Sequence, residues 1–568
     1  MDSKALYLEK PWLRSYPKDM PVELEVPKKS ISSAFDGVIE KWGSRTALIF
    51  YGRKMSYLEL KDQADRFATA LNNLGVRKGD KVGLLLLNSP QFIISYLGAL
   101  KIGAILSPIS PVYVSSEIKY QIEDSRTETI VCQDILYGNV KKASVSLRNI
   151  ILTNVGEYLP VAKKLLGKSI LKAVYKKMEL PTPEVLKREE IHQFQDLIKR
   201  NPPNPPPVEI QPEEDIAVLP YTGGTTRLPK GVMLTHYNII ASEQNLYLTL
   251  REVLKEGQET LLAYQPFYHI MGQVGVIANA LLRGYTLVIF TTPDYDEILS
   301  AIEKYNVGAF LGAPAIYEYL KSYDKTDRVN WKRLKIIQSG ADILYESTAK
   351  DWEKRTGTKI HEAYGLSETS GACHFTPIGK VKLNSFGVPQ PNMVAAIMHP
   401  EKEEFLAPRE IGEVVIKGPL IMKGYWNKPE ETREALIEID GERWLRTGDL
   451  GSMDEDGYFY FYDRKKDMIK YKGHSVFARE IEEVLSSHPK IKEAGVIGIS
   501  DPKVGENIKA FVVLEVDARG KLSEEEILRY CEENMAHYKV PRIIEFVGEI
   551  PKTDVGKVSR RELREVEI

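Results

Sequence analysis

Cysteine is scarce in this sequence of 568 residues, which contains three cysteines, Cys132, Cys373 and Cys531. They lie far apart along the chain, and no Cys-x-x-Cys pair occurs. This scarcity argues against a disulfide framework and against a cysteine-based zinc site. Because reduced thiols are typical of the cytosol, we expect the protein to be cytoplasmic.

The chain also lacks an excess of charge of one sign. Its 77 basic and 79 acidic residues give a net charge of -2, so the overall charge does not predict nucleic-acid binding.

Long apolar runs are missing as well. Residues 82–111 are the most apolar region, but NSPQ at 88–91 and Lys101 interrupt them. That pattern predicts a buried strand and a helix rather than a membrane span. The first ten residues mix acidic and basic side chains, so we expect no signal peptide there.

The length of the chain predicts two or more domains. Residues 81–87 read as a buried strand and residues 91–103 as a helix that ends at a glycine. The same alternation recurs and predicts an α/β fold with largely parallel sheets. Further strands are expected at 129–131, 286–290 and 307–311. We expect a large N-terminal domain of layered sheets and helices over residues 1–462, followed by a small α+β domain over residues 463–568.

Residues 161–178 carry lysines and apolar residues, each at a spacing of four. One interpretation is a helix that lies on an anionic membrane surface at the inner face of the membrane. The other, which we favour slightly, is a solvated helix packed on its own domain. Gly167 weakens either helix. The proline-rich segment 201–207 (NPPNPPP) predicts a stiff, extended linker.

The segment 221–232 (YTGGTTRLPKGV) is the most informative part of the chain. Glycines allow backbone N–H groups to face a phosphate, threonines add hydroxyl donors and Lys230 adds a positive charge. This composition predicts a phosphate-binding loop, although a short Gly-Thr segment on its own is equally typical of a surface turn. Because Gly231 rather than Ser or Thr follows Lys230, the loop is not a Walker A motif.

Four more motifs follow in order: YGLSET at 364–369, RTGD at 446–449, DRKKD at 463–467 and PKTDVGK at 551–557. Together with the loop, they resemble the acyl-adenylate-forming superfamily. This superfamily includes acyl-CoA synthetases, peptide-synthetase adenylation domains and firefly luciferase. The resemblance extends from about Ser32 to the C-terminus. The usual family pattern has glycine where this chain has Arg227.

The resemblance implies a binding site for ATP and Mg²⁺. Glu368 would hold Mg²⁺, with Thr222 as an additional oxygen ligand, because this ion prefers oxygen. Tyr364 would stack on adenine, and Asp449 would accept hydrogen bonds from both ribose hydroxyls. The implied nucleotide-binding residues are Thr222, Gly223, Gly224, Thr225, Thr226, Lys230, Ser339, Gly340, Ala341, Tyr364, Gly365, Thr369, Asp449, Arg464 and Lys470.

The resemblance also implies residues for catalysis and for movement of the C-terminal domain. Lys557 would bridge the two anionic reactants, with Arg464 as a second catalytic residue. Lys466 would be the hinge, and Gly473 would allow CoA to approach the backbone closely. His269, in LAYQPFYHIMG at 262–272, would gate the acyl pocket, although a core histidine is an open alternative. No general base is expected, because a carboxylic acid is already ionised at neutral pH.

Among family members, the chain is most similar to long-chain fatty acid–CoA ligases. The features that favour them are YTGGTT at 221–226, DRKKD at 463–467 and HYKVP at 537–541. The implied reaction converts fatty acid, ATP and CoA to acyl-CoA, AMP and diphosphate. Alternatives are a CoA ligase for shorter, hydroxy or aryl acids, transfer to a carrier protein, and a degenerate fatty-acid-binding protein. Acyl selectivity depends on the shape of the pocket, and a homodimer stays an open possibility.

Overall fold

The computed structural model describes residues 3–160, 181–182, 184–222, 228–472, 474–553 and 558–565. Several sequence predictions lie outside these residues. They are the amphipathic helix at 161–178, the loop residues Gly223, Gly224, Thr225, Thr226 and Arg227, and the two residues Gly473 and Lys557.

The largest sheet has fourteen strands within the described residues and is parallel at its centre. The strands that follow the parallel centre toward the C-terminus pair antiparallel. In spatial order the strands are Val394–Met398, Gly412–Lys417, Glu442–Met453, Phe459–Arg464, Ser385–Pro389, Gly371–Phe375, His361–Leu366, Ile336–Gly340, Ala309–Gly312, Thr260–Ala263, Thr286–Ile289, Thr46–Phe50 and Arg53–Ser56, with Leu436–Ile439 paired to Glu442–Met453.

The second sheet has nine strands among the described residues and is also parallel at its centre. In spatial order its strands are Gly424–Tyr425, Lys230–Thr235, Ile216–Val218, Ile105–Pro108, Lys81–Leu85, Thr129–Gln133, Asn149–Thr153 and Ile191–Gln193, with Tyr221–Thr222 paired to Lys230–Thr235.

The third sheet is built from the C-terminal part of the chain and has a hydrophobic core of its own. Helix Ala478–Ser486 packs on it and buries Ile481 and Leu485 in that core. The five strands of this sheet, counted over the described residues, are His474–Val476, Ile469–Tyr471, Gly505–Leu514, Ile491–Asp501 and Ile543–Phe546.

Helices cover the faces of these sheets. One of them, Met271–Ala278, is a π-helix, a form that is often found at functional sites. The described α-helices are Ser3–Leu8, Ile31–Trp42, Tyr57–Asn73, Pro90–Lys101, Ser115–Ser125, Tyr137–Ala143, Phe194–Arg200, His236–Leu250, Asn279–Leu282, Tyr295–Lys304, Pro314–Leu320, Glu346–Thr356, Pro429–Ala435, Ala478–Ser486, Glu524–Asn534 and Arg560–Glu565.

The predicted strand–helix alternation is confirmed. Strand Lys81–Leu85 is followed by helix Pro90–Lys101, which begins after Ser89, whose hydroxyl oxygen accepts a hydrogen bond from the N–H of Phe92. Almost every residue of this helix is buried, which explains its nearly continuous apolar sequence. Among the helices of the described residues, none combines the length and the apolar character needed to cross a membrane.

Along the sequence, the last strand of the first sheet and the first strand of the third sheet lie close to the predicted domain boundary. Strand Phe459–Arg464 still belongs to the first sheet, and strand Ile469–Tyr471 opens the third. The link between them therefore lies within residues 465–468. The domain boundary between residues 462 and 463 stays a prediction.

Candidate functional site

A cleft of about 1760 Å³ lies between the large sheets and the C-terminal part of the chain. It opens at the carboxyl ends of the parallel strands Ile336–Gly340 and His361–Leu366, where ligands are expected in such sheets. Twelve of the sequence-predicted residues line it: Thr222, Lys230, His269, Ser339, Gly340, Ala341, Tyr364, Gly365, Glu368, Asp449, Arg464 and Lys466.

Asp449 is a buried carboxylate that holds two of the other predicted residues. The hydroxyl of Tyr364 donates to Asp449 Oδ2 at 2.5 Å, and Arg464 Nε lies 2.7 Å from Asp449 Oδ1. Asp449 and Arg464 are also directly paired in neighbouring antiparallel strands. The Asp449 charge raises the pKa of Arg464, and burial together with Asp449 raises that of Tyr364. The guanidinium therefore stays charged, and the phenol stays a donor.

The ring of Tyr364 lies beside a narrow backbone turn. Its centroid is 4.4 Å from that of Phe386, and the two planes are inclined by 33°. On the cleft wall, Ala341 has a left-handed φ of 71°, so the chain turns sharply after Gly340. A Cβ on Gly340 would lie 3.0 Å from the carbonyl oxygen of Ala363. Tyr364 and the turn at Gly340 and Ala341 thus line the same cleft, and a contact of either with adenine stays a prediction.

The two ends of the predicted phosphate loop form a small hairpin. Thr222 pairs with Lys230, and Tyr221 pairs with Gly231 in antiparallel register. The hydroxyl of Tyr221 donates to Asp124 Oδ2 at 2.7 Å, which ties the hairpin to helix Ser115–Ser125. The hairpin thus places both ends of the loop at the cleft.

Glu368 projects from a tight turn that Thr369 stabilises. The Thr369 hydroxyl accepts the N–H of Leu366 at 2.8 Å and donates to the carbonyl oxygen of Gly371 at 2.7 Å. Thr369 is buried by these contacts and does not line the cleft. Its role in the structure is to shape the turn, and a direct contact with nucleotide stays a prediction.

His269 lies at a different part of the cleft, beside a group of mostly apolar residues. Its Nδ1 accepts the N–H of Met271 at 3.3 Å. The adjoining wall comes from helix His236–Leu250, the π-helix Met271–Ala278 and strand Gly371–Phe375. Its cleft-lining residues are Ser242, Leu246, Met271, Val274, Gly275, Gly371 and Ala372. His269 is partly exposed at this wall, and its role as a gate stays a prediction.

Lys466 also lines the cleft. The acidic residues on either side of it are buried and paired with the C-terminal helix. Arg560 Nη1 lies 3.2 Å from Asp463 Oδ1, and its Nη2 donates to Glu482 Oε2 at 2.8 Å. Arg564 Nη2 lies 3.1 Å from Asp467 Oδ1. These ion pairs therefore hold helix Arg560–Glu565 against residues 463–467, which include the predicted hinge residue Lys466.

Other predicted residues lie elsewhere. Lys470 does not line the cleft, and its Nζ donates to Ser475 Oγ at 3.0 Å. Gly473 and Lys557 lie outside the described residues, although Thr553 and Val558, on either side of 554–557, line the cleft.

Sequence reasoning missed Tyr425, Phe386 and Arg560, all of which line the cleft. A tyrosine or phenylalanine far from a motif carries no signal of its own. Arg560 offered a weak signal, because it lies three residues after Lys557 in the last motif.

Comparison with known proteins assigns the chain to a family. The sequence model of the AMP-binding enzyme family matches residues 35–426, and that of the AMP-binding enzyme C-terminal domain matches residues 480–557. The long-chain-fatty-acid–CoA ligase of Bacillus subtilis (strain 168) is 40% identical over 563 residues, which cover 98% of each chain.

Solved structures confirm the predicted fold class. ATP-bound MatB from Rhodopseudomonas palustris matches with a TM-score of 0.80 and 25% identity, over 95% of this chain and 99% of that chain. The anthranilate CoA ligase AuaEII in complex with anthranoyl-AMP matches with a TM-score of 0.80 and 26% identity, over 96% of this chain and 98% of that chain. The chain therefore belongs to the AMP-binding enzyme family of ATP-dependent, adenylate-forming ligases.

Proposed function

We propose that the protein is an AMP-forming acid–CoA ligase that activates long-chain fatty acids. In the first half-reaction, the fatty acid carboxylate attacks the α-phosphate of ATP, and diphosphate leaves. In the second, the thiol of CoA attacks the carbonyl carbon of acyl-AMP, and AMP leaves. The observation that carries this proposal is that Lys230, Glu368 and the Asp449–Arg464 pair line one cleft.

The nucleotide would lie along the cleft in a single orientation. Tyr364 would stack on adenine beside the turn at Ser339, Gly340 and Ala341. Ser339 Oγ is buried and has no hydrogen-bond partner among the described residues, which leaves it for the base. Asp449 would accept the ribose hydroxyls, and Arg464, held by Asp449, would face the α-phosphate. Lys230 and the loop residues before it would then contact the β- and γ-phosphates.

Glu368 and Thr222 fit the Mg²⁺ that would accompany ATP. Within the described residues no three acidic, histidine or cysteine side chains gather as a metal site. Mg²⁺ in nucleotide enzymes usually takes only one or two carboxylates and completes its shell with phosphate oxygens and water, so a single glutamate with a hydroxyl suits it. When bound, the ion supplies positive charge to the leaving diphosphate.

Lys557 would neutralise the two anions that meet in the first half-reaction. Both the fatty acid carboxylate and the α-phosphate are negative, so their approach needs a nearby cation. Thr553 and Val558 at the cleft support this proposal, since the chain reaches the cleft on both sides of 554–557. For the second half-reaction, the C-terminal domain would turn about Lys466, and CoA would then enter past Gly473.

Support for a long acyl chain comes from the mostly apolar wall next to His269 and from the fatty-acid ligase of Bacillus subtilis. The wall includes Gly275, where an added Cβ would meet only Met271 Cγ, at 3.7 Å. The similarity to an anthranilate ligase keeps aryl acids as the second candidate. Peripheral membrane contact through 161–178, cytoplasmic location and a homodimer stay predictions.

Acid specificity is the first prediction. AMP release from ATP and CoA should increase along a series of acids from acetate to palmitate, and benzoate should be a poor substrate, because only a long chain fills an apolar pocket. Acyl-CoA, measured in the same samples, should match the AMP. A maximum at benzoate or at short acids would overturn the long-chain assignment. AMP without acyl-CoA would favour transfer to a carrier protein, and palmitate binding without AMP would favour a degenerate binding protein.

The hinge assignment makes a second prediction. Lys466→Pro should remove most of the CoA-transfer rate while acid-dependent ATP–diphosphate exchange continues, because proline fixes φ and restricts Lys465 as well. Lys466→Ala is the matched control, since it removes the charge and leaves the backbone free. If CoA transfer from supplied acyl-AMP is the same in the proline variant and the wild type, residue 466 is not the hinge.

A further inference from the structure

Tyr425 contacts both ends of the proposed phosphate site. Its hydroxyl donates a hydrogen bond to Glu368 Oε1 at 2.8 Å. Lys230 Nζ lies over its ring, 3.9 Å from the centroid. Glu368 and Lys230 are 138 residues apart in sequence and belong to different motifs. One side chain therefore contacts both the proposed metal ligand and the proposed phosphate lysine.

The backbone around Tyr425 is fixed to both motifs as well. Strand Gly424–Tyr425 pairs antiparallel with Lys230–Thr235, and the N–H of Trp426 donates to the carbonyl oxygen of Gly231 at 2.8 Å. On the other side, the N–H of Met422 donates to the carbonyl oxygen of Glu368 at 2.9 Å. The segment 422–426 thus joins the two motifs through main-chain bonds, which fix the backbone position from which the Tyr425 side chain extends.

The two contacts of Tyr425 differ in chemistry. A phenol that donates to one carboxylate oxygen fixes the orientation of the carboxylate and leaves the other oxygen for a cation. An ammonium over an aromatic face is held by electrostatic attraction to the ring face, which phosphate oxygens can replace. Tyr425 as a whole is 6% exposed, so water competes weakly at its side chain.

We propose that Tyr425 is a positioning residue for MgATP. Its hydroxyl orients Glu368 toward Mg²⁺, and its ring holds Lys230 where the β- and γ-phosphates arrive. This inference rests on the proposed function, because it assigns partners to Glu368 and Lys230 within that same site.

Two substitutions separate the two contacts. Tyr425→Phe keeps the ring and removes the hydroxyl, whereas Tyr425→Leu removes both contacts. ATP binding is measured by titration calorimetry at a series of Mg²⁺ concentrations and again in excess chelator. The phenylalanine variant should need roughly tenfold more Mg²⁺ for half-maximal enhancement of ATP binding, with unchanged affinity for metal-free ATP. The leucine variant should in addition bind metal-free ATP several-fold more weakly, through the loss of ordered Lys230.

Tyr458→Phe is the matched control. In the wild type, the hydroxyl of Tyr458 also donates a hydrogen bond, to the carbonyl oxygen of Lys380 at 2.8 Å. Lys382 Nζ lies over the Tyr458 ring, 4.3 Å from the centroid. Because Tyr458 does not line the cleft, this variant should show the Mg²⁺ dependence of the wild type.

These measurements distinguish a failure of the Tyr425 proposal from a failure of the proposed function. If the wild type binds no MgATP, the proposed function fails before Tyr425 is tested. If the wild type binds MgATP and Tyr425→Phe needs the same Mg²⁺ concentration, the positioning role is overturned. A melting temperature that falls equally in Tyr425→Phe and Tyr458→Phe, without a change in Mg²⁺ dependence, would make Tyr425 purely structural.

Discussion

Replacing Lys557 with alanine should lower the rate of acyl-AMP formation by about 10²–10³-fold, the cost of removing one preorganised charge donor from a transition state. The same variant should convert supplied acyl-AMP and CoA to acyl-CoA at close to the wild-type rate. The reason is chemical. Two anions must meet only in the first half-reaction, whereas in the second a thiol attacks an uncharged carbonyl carbon and AMP leaves with the electron pair of the broken acyl–oxygen bond.

The matched control for Lys557 is Lys552→Ala. Lys552 belongs to the same motif and lines the cleft, but its Nζ is engaged with Glu493 Oε1 at 2.9 Å. Its removal should leave both half-reactions nearly unchanged. The measurement is ATP–diphosphate exchange for the first half-reaction and acyl-CoA formation from acyl-AMP for the second. Equal losses of both in Lys557→Ala would contradict a role confined to adenylation.

Asp449→Asn should damage both half-reactions, because ATP and acyl-AMP carry the same ribose. An amide has one acceptor oxygen where the carboxylate has two, so Tyr364, Arg464 and the ribose hydroxyls would compete for it. We expect kcat/KM for ATP to fall by about 10²-fold and the free energy of unfolding to fall by about 1–3 kcal/mol, since Arg464 loses its charged partner.

The control variant Asp454→Asn separates a loss of protein stability from a loss of ribose recognition. Asp454 has the same two kinds of partner: Lys382 Nζ lies 2.6 Å from its Oδ2, and the hydroxyl of Tyr460 donates to that oxygen at 2.9 Å. It does not line the cleft. This variant should be less stable but should bind ATP normally. If Asp449→Asn binds ATP as the control does, Asp449 does not recognise the ribose.

The sequence predicted the fold and most of the cleft because several motifs, such as YGLSET at 364–369 and DRKKD at 463–467, lie where a strand ends. Apolar runs such as 81–87 predicted buried strands, and twelve of the predicted site residues line one cleft, which opens at the carboxyl ends of strands Ile336–Gly340 and His361–Leu366. Binding roles for these residues stay predictions. Lys470 shows the limit of motif reasoning, because its strand directs it to Ser475 and away from the cleft.

Contacts between motifs could not be predicted in the same way. The bond from Tyr364 to Asp449 joins residues 85 positions apart, and it depends on the strand order of the assembled sheet. The same holds for Tyr425, whose partners come from two separate motifs, and for Arg560, which reaches back to Asp463. A local sequence pattern specifies an element, whereas these contacts depend on how elements pack together.

The central claim is that the cleft forms an acyl-adenylate. The most direct test is palmitate-dependent exchange of labelled diphosphate into ATP, with Mg²⁺ present and CoA absent. The account predicts exchange that requires both palmitate and ATP, that falls by about 10²–10³-fold in Lys557→Ala and that stays nearly unchanged in Lys552→Ala. A folded protein that exchanges no diphosphate with palmitate or with any acid of the series would contradict the claim.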